Sequence, residues 1–153
     1  MKIALITTTI NYPDLLIEYA KDTFKYKRKN VETIFIIAGD IKTPHKTHKL
    51  AKNIEYKYKI KTEYLDVKKQ NKYLTKFKLL NKYLKWNSVQ RRNVAFLKAL
   101  EKDSDIIITI DDDNFLKTKN FVNKHLDNIQ SKKSVLISSK NNWANICDFI
   151  KEK

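Results

Sequence analysis

Residues 105–114 read DIIITIDDDN. The first six, Asp105–Ile110, form an apolar, β-branched run, which predicts a strand that is buried on both faces, as in a parallel sheet. Three carboxylates, Asp111, Asp112 and Asp113, follow at the carboxyl end of that strand. In open sheets of parallel strands, ligands bind beyond this end, so the stretch predicts both a fold class and a place for a site.

The rest of the chain alternates between strand and helix patterns around this stretch. The predicted strands are Lys2–Thr9, Val31–Asp40, a short third strand Thr62–Val67, and Val135–Ser138. The predicted helices start at Pro13, span Lys69–Leu84, run from a cap at Ser88 to about Glu101, and run from Thr118 to about Asn128. Residues 45–60 are ambiguous. The alternation predicts one Rossmann-like α/β domain over residues 1–153, with a mostly parallel sheet and helices on both faces.

Composition excludes several classes of site and of protein. The chain has 153 residues with one glycine, Gly39, and one cysteine, Cys147. A Walker A loop, a GxGxxG turn and a GxSxG elbow each need at least two glycines, so all three are excluded. A single cysteine forms no internal disulfide, and we interpret Cys147 as a core residue. We expect a soluble, cytoplasmic protein, because no apolar run approaches the ~18 residues of a membrane span and Met1–Ile10 is too short and polar for a signal peptide.

The positive charge is concentrated in the middle of the chain. The formal net charge is +15, and residues 42–92 contain 16 lysines and arginines against 3 acids. Such a segment is compatible with nucleic acid, an anionic membrane surface or a phosphate-bearing ligand as partner. A solvated lysine face is the alternative interpretation.

The aspartates at the end of the 105–110 strand suggest a cation. Adjacent carboxylates repel each other, and a hard divalent cation relieves that repulsion. Mg²⁺ prefers one or two carboxylates together with substrate phosphates, and Asp111 and Asp113 project to the same side of an extended backbone. The alternative is a solvated acidic turn. His45 and His48, three residues apart beside lysines, are interpreted as a solvated turn rather than a metal site.

Polar residues also follow two other predicted strands. These are the Thr7–Asn11 and Gly39–Pro44 segments, which should meet the aspartates at one edge of the sheet. In the helix after Ser88, we expect an apolar face formed by Val89, Phe96, Leu97 and Leu100. Asn93 falls on that same side by spacing, as either a satisfied core amide or a ligand contact.

Several of these segments together resemble one family, the probable glycosyltransferases of the plant STELLO type and their viral and microbial relatives. The matching segments, in chain order, are TTIN (Thr8–Asn11), GDIKTP (Gly39–Pro44), Gln70 in DVKKQ, RRNVAFLKAL (Arg91–Leu100) and DDDN (Asp111–Asn114). Ala95 stands where the family usually has glycine. The resemblance covers residues 1–114 and implies a GT-A-type nucleotide-sugar fold.

The resemblance implies a donor half, residues 1–114, that binds a nucleoside-diphosphate sugar. It implies Mn²⁺ or Mg²⁺ held by Asp111 and Asp113 on the diphosphate. The donor-binding residues it implies are Thr8, Thr9, Asn11, Gly39, Asp40, Lys42, Thr43, Arg92, Asn93 and Asp112.

Residues 115–153 correspond to only part of an acceptor side, which is longer in such enzymes. Asp148 is the candidate catalytic base, although its apolar neighbours fit a terminal packing helix equally well. The acceptor, a glycan, a protein or a lipid, is not identified, and the location would be the host cytoplasm if the protein is viral. Two alternatives are a noncatalytic remnant of such an enzyme and a nucleic-acid-binding module that uses the basic, aromatic-containing middle segment. We expect the chain to bind no specific nucleic acid.

Overall fold

The computed structural model describes residues 1–131 and contains one sheet of four parallel strands in the order β3-β2-β1-β4. The strands are β1 (Lys2–Thr9), β2 (Glu32–Gly39), β3 (Lys61–Leu65) and β4 (Ile106–Thr109). Four predicted strand segments therefore form strands, each within two residues of the expected bounds. The predicted strand Val135–Ser138 lies outside the described residues.

Six α-helices connect and follow the strands in the described part of the chain. They are α1 (Leu16–Lys25), α2 (Thr47–Tyr58), α3 (Val67–Leu74), α4 (Lys78–Tyr83), α5 (Arg92–Glu101) and α6 (Phe121–Gln130). A 3-10 turn, Val89–Arg91, leads into α5, and the Ser88 side chain caps it by accepting from the Gln90 amide.

The sheet is the middle of three layers, because alternate residues of each strand face opposite sides. Ile3 and Leu5 of β1 belong to a core formed with α1, α2 and α6. Ala4 and Ile6 belong to a second core, which includes residues of α3 and α5. The predicted α/β class, a Rossmann-like parallel sheet with helices on both faces, is confirmed.

Four helix predictions need correction. The ambiguous residues 45–60 contain α2, and the single helix expected over Lys69–Leu84 is two helices, α3 and α4. The amide of Phe77 bonds the carbonyl of Leu74, which ends α3 in a tight turn. Asp14 and Leu15 form a turn, so α1 begins at Leu16 rather than Pro13, and α6 begins at Phe121, three residues after the predicted start at Thr118.

The buried face of α5 also differs from the prediction. Val94, Ala95 and Ala99 are fully buried, whereas Val89 is 65% and Leu100 60% exposed. Val89 lies in the 3-10 turn, so the 3.6-residue spacing of an α-helix does not place it on the same face as the α5 residues. Small buried residues allow α5 to lie close to the sheet.

The order of the strands creates a crevice beside β1. The chain moves outward from β1 to β2 and β3, and then crosses back to β4 on the other side of β1. At such a reversal, the loops after the two neighbouring strands separate and leave room for a ligand. Among the described residues, no helix combines the length and the hydropathy that crossing a membrane requires.

Candidate functional site

A cleft of about 330 Å³ lies at the carboxyl ends of β1 and β4, where this reversal occurs. The segments that follow β1, β2 and β4, together with the start of the 3-10 turn and of α5, contribute its walls. The lining residues are Thr8, Thr9, Ile10, Asp40, Asn87, Ser88, Val89, Arg92, Asp111, Asp112 and Asp113.

The end of β1 is bonded directly to the aspartate loop. The buried Thr9 hydroxyl lies 2.5 Å from Oδ2 of Asp112 and accepts a hydrogen bond from the Asn11 amide. Asn11 Nδ2 donates to the same carboxylate at 3.3 Å. Asp112 therefore joins the loops after β1 and β4 and has a structural bonding role at the cleft wall.

The loop after β2 is fixed by Thr43. Its buried hydroxyl accepts from the Asp40 amide at 2.7 Å and donates to the Thr9 carbonyl at 2.5 Å. Asp40 is 4% exposed, and its Oδ1 accepts from the amides of Ile41 and Asn87. These bonds hold the Asp40 carboxylate at the cleft.

Gln70 supports the same loop from behind. This fully buried side chain donates from Nε2 to the carbonyls of Gly39 and Leu65, at 2.5 and 2.7 Å. Gly39 is required for packing, because a Cβ there would lie 2.6 Å from the hydroxyl oxygen of Tyr64. Burial, with a smaller contribution from Asp66, raises the pKa of Tyr64 to about 12, so this phenol stays neutral at physiological pH.

The part of the wall formed by residues 84–88 is positioned by Arg91. Its guanidinium carbon lies 3.2 Å from the centroid of the Trp86 ring, and Nη2 donates to the Leu84 carbonyl at 3.3 Å. Arg91 is 1% exposed, and burial lowers its pKa although Asp40 acts in the opposite direction. The stacking and the carbonyl bond anchor residues 84–88, so that Asn87 and Ser88 line the cleft.

Charges of both signs meet inside the cleft. Arg92 Nη2 bonds Oδ1 of Asp111, while Arg92 Nε is buried without a hydrogen-bond partner in the described chain. Within residues 1–131, the carboxylate of Asp113 has no bonded partner and is exposed. The Tyr19 hydroxyl, from α1, donates to the Asn114 carbonyl at 2.8 Å and fixes the end of the aspartate loop. The cleft thus retains bonding capacity at Arg92 and Asp113.

The chemistry of the donor set suits a hard divalent cation that brings further ligands. Among residues 1–131, no three His, Cys, Asp or Glu side chains form a group that could hold a metal alone. Asp111 and Asp113 nevertheless line one cleft. Mg²⁺ typically combines one or two carboxylates with waters and substrate phosphates, so these two side chains fit it in the presence of a diphosphate.

Eight of the predicted site residues lie at this cleft. Thr8, Thr9, Asp40, Arg92 and the three aspartates line it, and Asn11 bonds Asp112 at its edge. Gly39 and Thr43 are buried behind the cleft and shape the loop that holds Asp40.

Three predicted site residues lie elsewhere or are not described. Asn93 is exposed and does not line the cleft, since the buried face of α5 is formed by Val94, Ala95 and Ala99; the prediction that it points to the apolar side is wrong. Lys42 is also exposed and outside the cleft lining. Asp148, the candidate base, lies outside the described residues, as does Cys147.

Four cleft residues, Ile10, Asn87, Ser88 and Val89, are not among the predicted site residues. Ser88 was predicted only as a helix cap. The start of a helix that follows a crossover in the sheet could have indicated that residues 87–89 lie at the cleft. Arg92, which is among the predicted site residues, lines the cleft, whereas its neighbour Arg91 is buried.

His48 has a structural partner. Its Nε2 lies 2.8 Å from Oδ2 of Asp66, whose Oδ1 accepts from the Lys69 amide and caps α3. The expected solvated turn is therefore correct for the exposed His45 but not for the half-buried His48.

Comparison with known proteins adds no relative: no protein-family model matches the chain, and no curated protein sequence matches it significantly.

Proposed function

We propose that residues 1–114 bind a nucleoside-diphosphate sugar with Mn²⁺ or Mg²⁺, and that the protein is a glycosyltransferase or the donor-binding part of one. The observation that carries the proposal is the meeting of Asp111, Asp113 and Arg92 in one cleft at the reversal point between β1 and β4. The resemblance of five segments to the STELLO-type family supports the same function.

Each wall of the cleft suits one part of the donor. Asp40 Oδ1 is used by two backbone amides, whereas Oδ2 accepts no hydrogen bond from the described residues. It can accept from an N–H of the base or a ribose hydroxyl. Thr8, Thr9 and Ile10 line the neighbouring wall, so we assign the nucleoside to the β1 and β2 loops.

The diphosphate is assigned to the opposite side of the cleft. Arg92 is the cationic side chain in the described lining, and its buried Nε has a hydrogen to donate. Guanidinium groups bind phosphate oxygens with charge-assisted bonds. In the free protein Asp111 neutralises Arg92, so phosphate binding would exchange this partner for a phosphate oxygen.

Asp111 and Asp113 would hold the divalent cation, which stabilises the negative charge that develops on a leaving nucleoside diphosphate. The protein's part is to place both carboxylates in the loop after β4, where Arg92 bonds that of Asp111. Transfer also needs an acceptor hydroxyl that is positioned and, for inversion, deprotonated. No residue of the described range is assigned as that base; Asp148, the candidate from the sequence, lies outside it, and the acceptor, a glycan, a protein or a lipid, is not identified.

A thermal-shift panel of nucleoside diphosphates and their sugars, with Mn²⁺ or with EDTA, tests donor binding. A ligand at a hundredfold excess over its Kd stabilises the folded state by about 2.7 kcal/mol. We expect a larger rise in Tm with Mn²⁺, and we expect Asp113→Asn to remove the difference. Asp103→Asn makes the same chemical change near the amino ends of the strands and should retain it. Equal shifts with Mn²⁺ and EDTA would contradict metal-linked binding.

Turnover separates an enzyme from a noncatalytic remnant. The donor that stabilises the protein most should be incubated with candidate acceptors, and release of nucleoside diphosphate should be measured. Acceptor-dependent multiple turnover that Asp113→Asn abolishes supports a complete enzyme. Donor binding without turnover supports a donor-binding module.

A further inference from the structure

We propose that α4 and its flanking residues form a surface that binds anionic phospholipid membranes. This α4 surface comprises residues 77–85, from Phe77 to Lys85. The inference is independent of the proposed donor site.

The first observation is that α4 lies on the outside of the domain. None of its residues is buried. Leu79 is 72% and Tyr83 61% exposed, and they are four residues apart, so they occupy the same side of the helix. Phe77, just before the helix, is 36% exposed. Leu79 and Tyr83 are therefore presented together to solvent, with the partly covered Phe77 at the start of the helix.

The second observation is that the charge around these side chains has one sign. Residues 67–100 contain ten lysines and arginines and no aspartate or glutamate. Lys78, Lys82 and Lys85 are exposed and form no ion pair with any residue in the 1–131 range. Lys76 is paired with Glu101 at 3.6 Å. The positive charge of the α4 surface is thus largely uncompensated by the protein itself.

This combination favours a membrane over a nucleic acid. Single-strand binding needs exposed aromatic faces on which bases stack. Here the Tyr73 ring is buried beneath Lys98 and the Trp86 ring is covered by Arg91. Within residues 77–85 this leaves Tyr83 as the one well-exposed ring, so the surface offers no row of stacking faces. The most exposed of the three apolar side chains is Leu79, which is aliphatic and offers no stacking face.

The same side chains suit the boundary between lipid headgroups and acyl chains. An apolar side chain such as Leu79 can enter that boundary, and tyrosine is enriched there because it has an apolar ring and a polar hydroxyl. Each lysine near the surface of an anionic bilayer contributes favourably to the binding free energy. Its aliphatic stem can lie along apolar groups while its ammonium stays among the charged headgroups. Charge complementarity therefore identifies the partner as an anionic bilayer.

The test is sedimentation with vesicles of phosphatidylcholine alone and of phosphatidylcholine containing about a third phosphatidylserine. We expect binding to the anionic vesicles only, weakened by salt. Lys78→Gln with Lys82→Gln should reduce affinity roughly twenty-five-fold, since each lysine contributes about fivefold. Leu79→Ser should reduce it roughly fivefold. These side chains are exposed, so Tm should stay unchanged.

The matched control is Lys52→Gln with Lys57→Gln. Both lysines are exposed on α2, which packs on the opposite face of the sheet, and the loss of charge is the same. This pair should change vesicle affinity by less than about twofold. Equal losses from both pairs, no binding to anionic vesicles, or displacement from the vesicles by a single-stranded RNA at lower concentration would overturn the proposal.

Discussion

At the carboxyl ends of the strands the chain encloses a cleft of about 330 Å³, whereas near their amino ends it leaves a cavity of about 980 Å³. Several of the charged side chains that line the larger space are bonded within the protein. Asp22 accepts from the amides of Asn120 and Phe121 at the start of α6, and Glu32 pairs with Lys61. In the smaller cleft, Arg92 and Asp113 retain bonding capacity. The larger space is therefore not by itself the better candidate, and we assign ligand recognition to the smaller site, where an acidic loop and Arg92 meet.

The largest expected effect is on the support of the carboxyl-end cleft. Gln70→Leu keeps much of the side-chain volume but leaves the buried carbonyls of Gly39 and Leu65 without this donor. We expect a loss of about 2–4 kcal/mol in the free energy of unfolding, measured by urea denaturation. The exposed Gln90→Leu is the control and should change stability by less than about 0.5 kcal/mol. Equal losses would show that these two hydrogen bonds are not stabilising.

The second prediction separates stability from binding at the amino end. Asp22→Ala removes the acceptor for two amides at the start of α6, so we expect a loss of about 1–2 kcal/mol. Affinity for a nucleoside diphosphate in Mn²⁺ should be unchanged in a calorimetric titration of the folded variant. A large loss of affinity would move the ligand towards the amino-end cavity.

The third prediction concerns pH and the Asp66 cap, which lies just after β3 at the carboxyl side. Burial acts to raise the pKa of Asp66, but the Lys69 amide and His48 outweigh it and lower the pKa overall. A carboxyl group whose pKa is lowered in the folded state stabilises the protein at pH values above its unfolded-state pKa of about 4. This stabilisation is lost as the pH falls through the folded-state pKa.

Asp66→Asn should therefore flatten the stability profile below about pH 5, at a loss of about 1 kcal/mol at neutral pH, since asparagine retains a capping oxygen. Urea denaturation at several pH values measures both quantities. An unchanged acid limb in the variant would rule out Asp66 as a contributor.

The smallest effect is expected at a left-handed turn near the amino ends. Lys59, which ends α2, has φ 54° and ψ 32°, a conformation that favours glycine. Lys59→Gly should stabilise the protein by about 0.5 kcal/mol, because the relief of backbone strain exceeds the added unfolded-state entropy. Lys57→Gly, inside the same helix, should destabilise it by about 1 kcal/mol. Thermal unfolding of both variants checks the opposite signs.

The sequence contained enough information to predict the sheet. The apolar runs at Lys2–Thr9 and Glu32–Gly39 are too long and too continuous for half-exposed strands, and their polar ends predicted which edge carries the site. The break between α3 and α4 could not be read in the same way, because residues 75–77 contain neither glycine nor proline, although the Phe77 amide bonds the Leu74 carbonyl and the Phe77 ring contacts that of Tyr73.

The site was predictable in its backbone segments but not in its side-chain orientations. The aspartates and Thr9 follow strands, so their position depends on the sheet alone. The orientation of Asn93 depends on which side of α5 contacts the sheet. The 3-10 turn before the helix shifts the positions that face the sheet relative to those expected for one continuous α-helix from Ser88. Arg91 is buried because its guanidinium stacks on the Trp86 ring. These two residues are five positions apart and outside a regular helix, so helical periodicity does not predict their contact.

The central claim is that a nucleoside diphosphate and its cation bind at the carboxyl ends of β1 and β4. Paramagnetic Mn²⁺ broadens nearby amide signals with a steep distance dependence, so two-dimensional amide NMR spectra with a nucleoside diphosphate locate the ion directly. We predict that the signals of Asn11, Ser88 and Asp113 disappear while those of Asn30 and Lys59, which line the amino-end cavity, persist. Loss of the Asn30 and Lys59 signals with retention of the Ser88 signal would contradict the account.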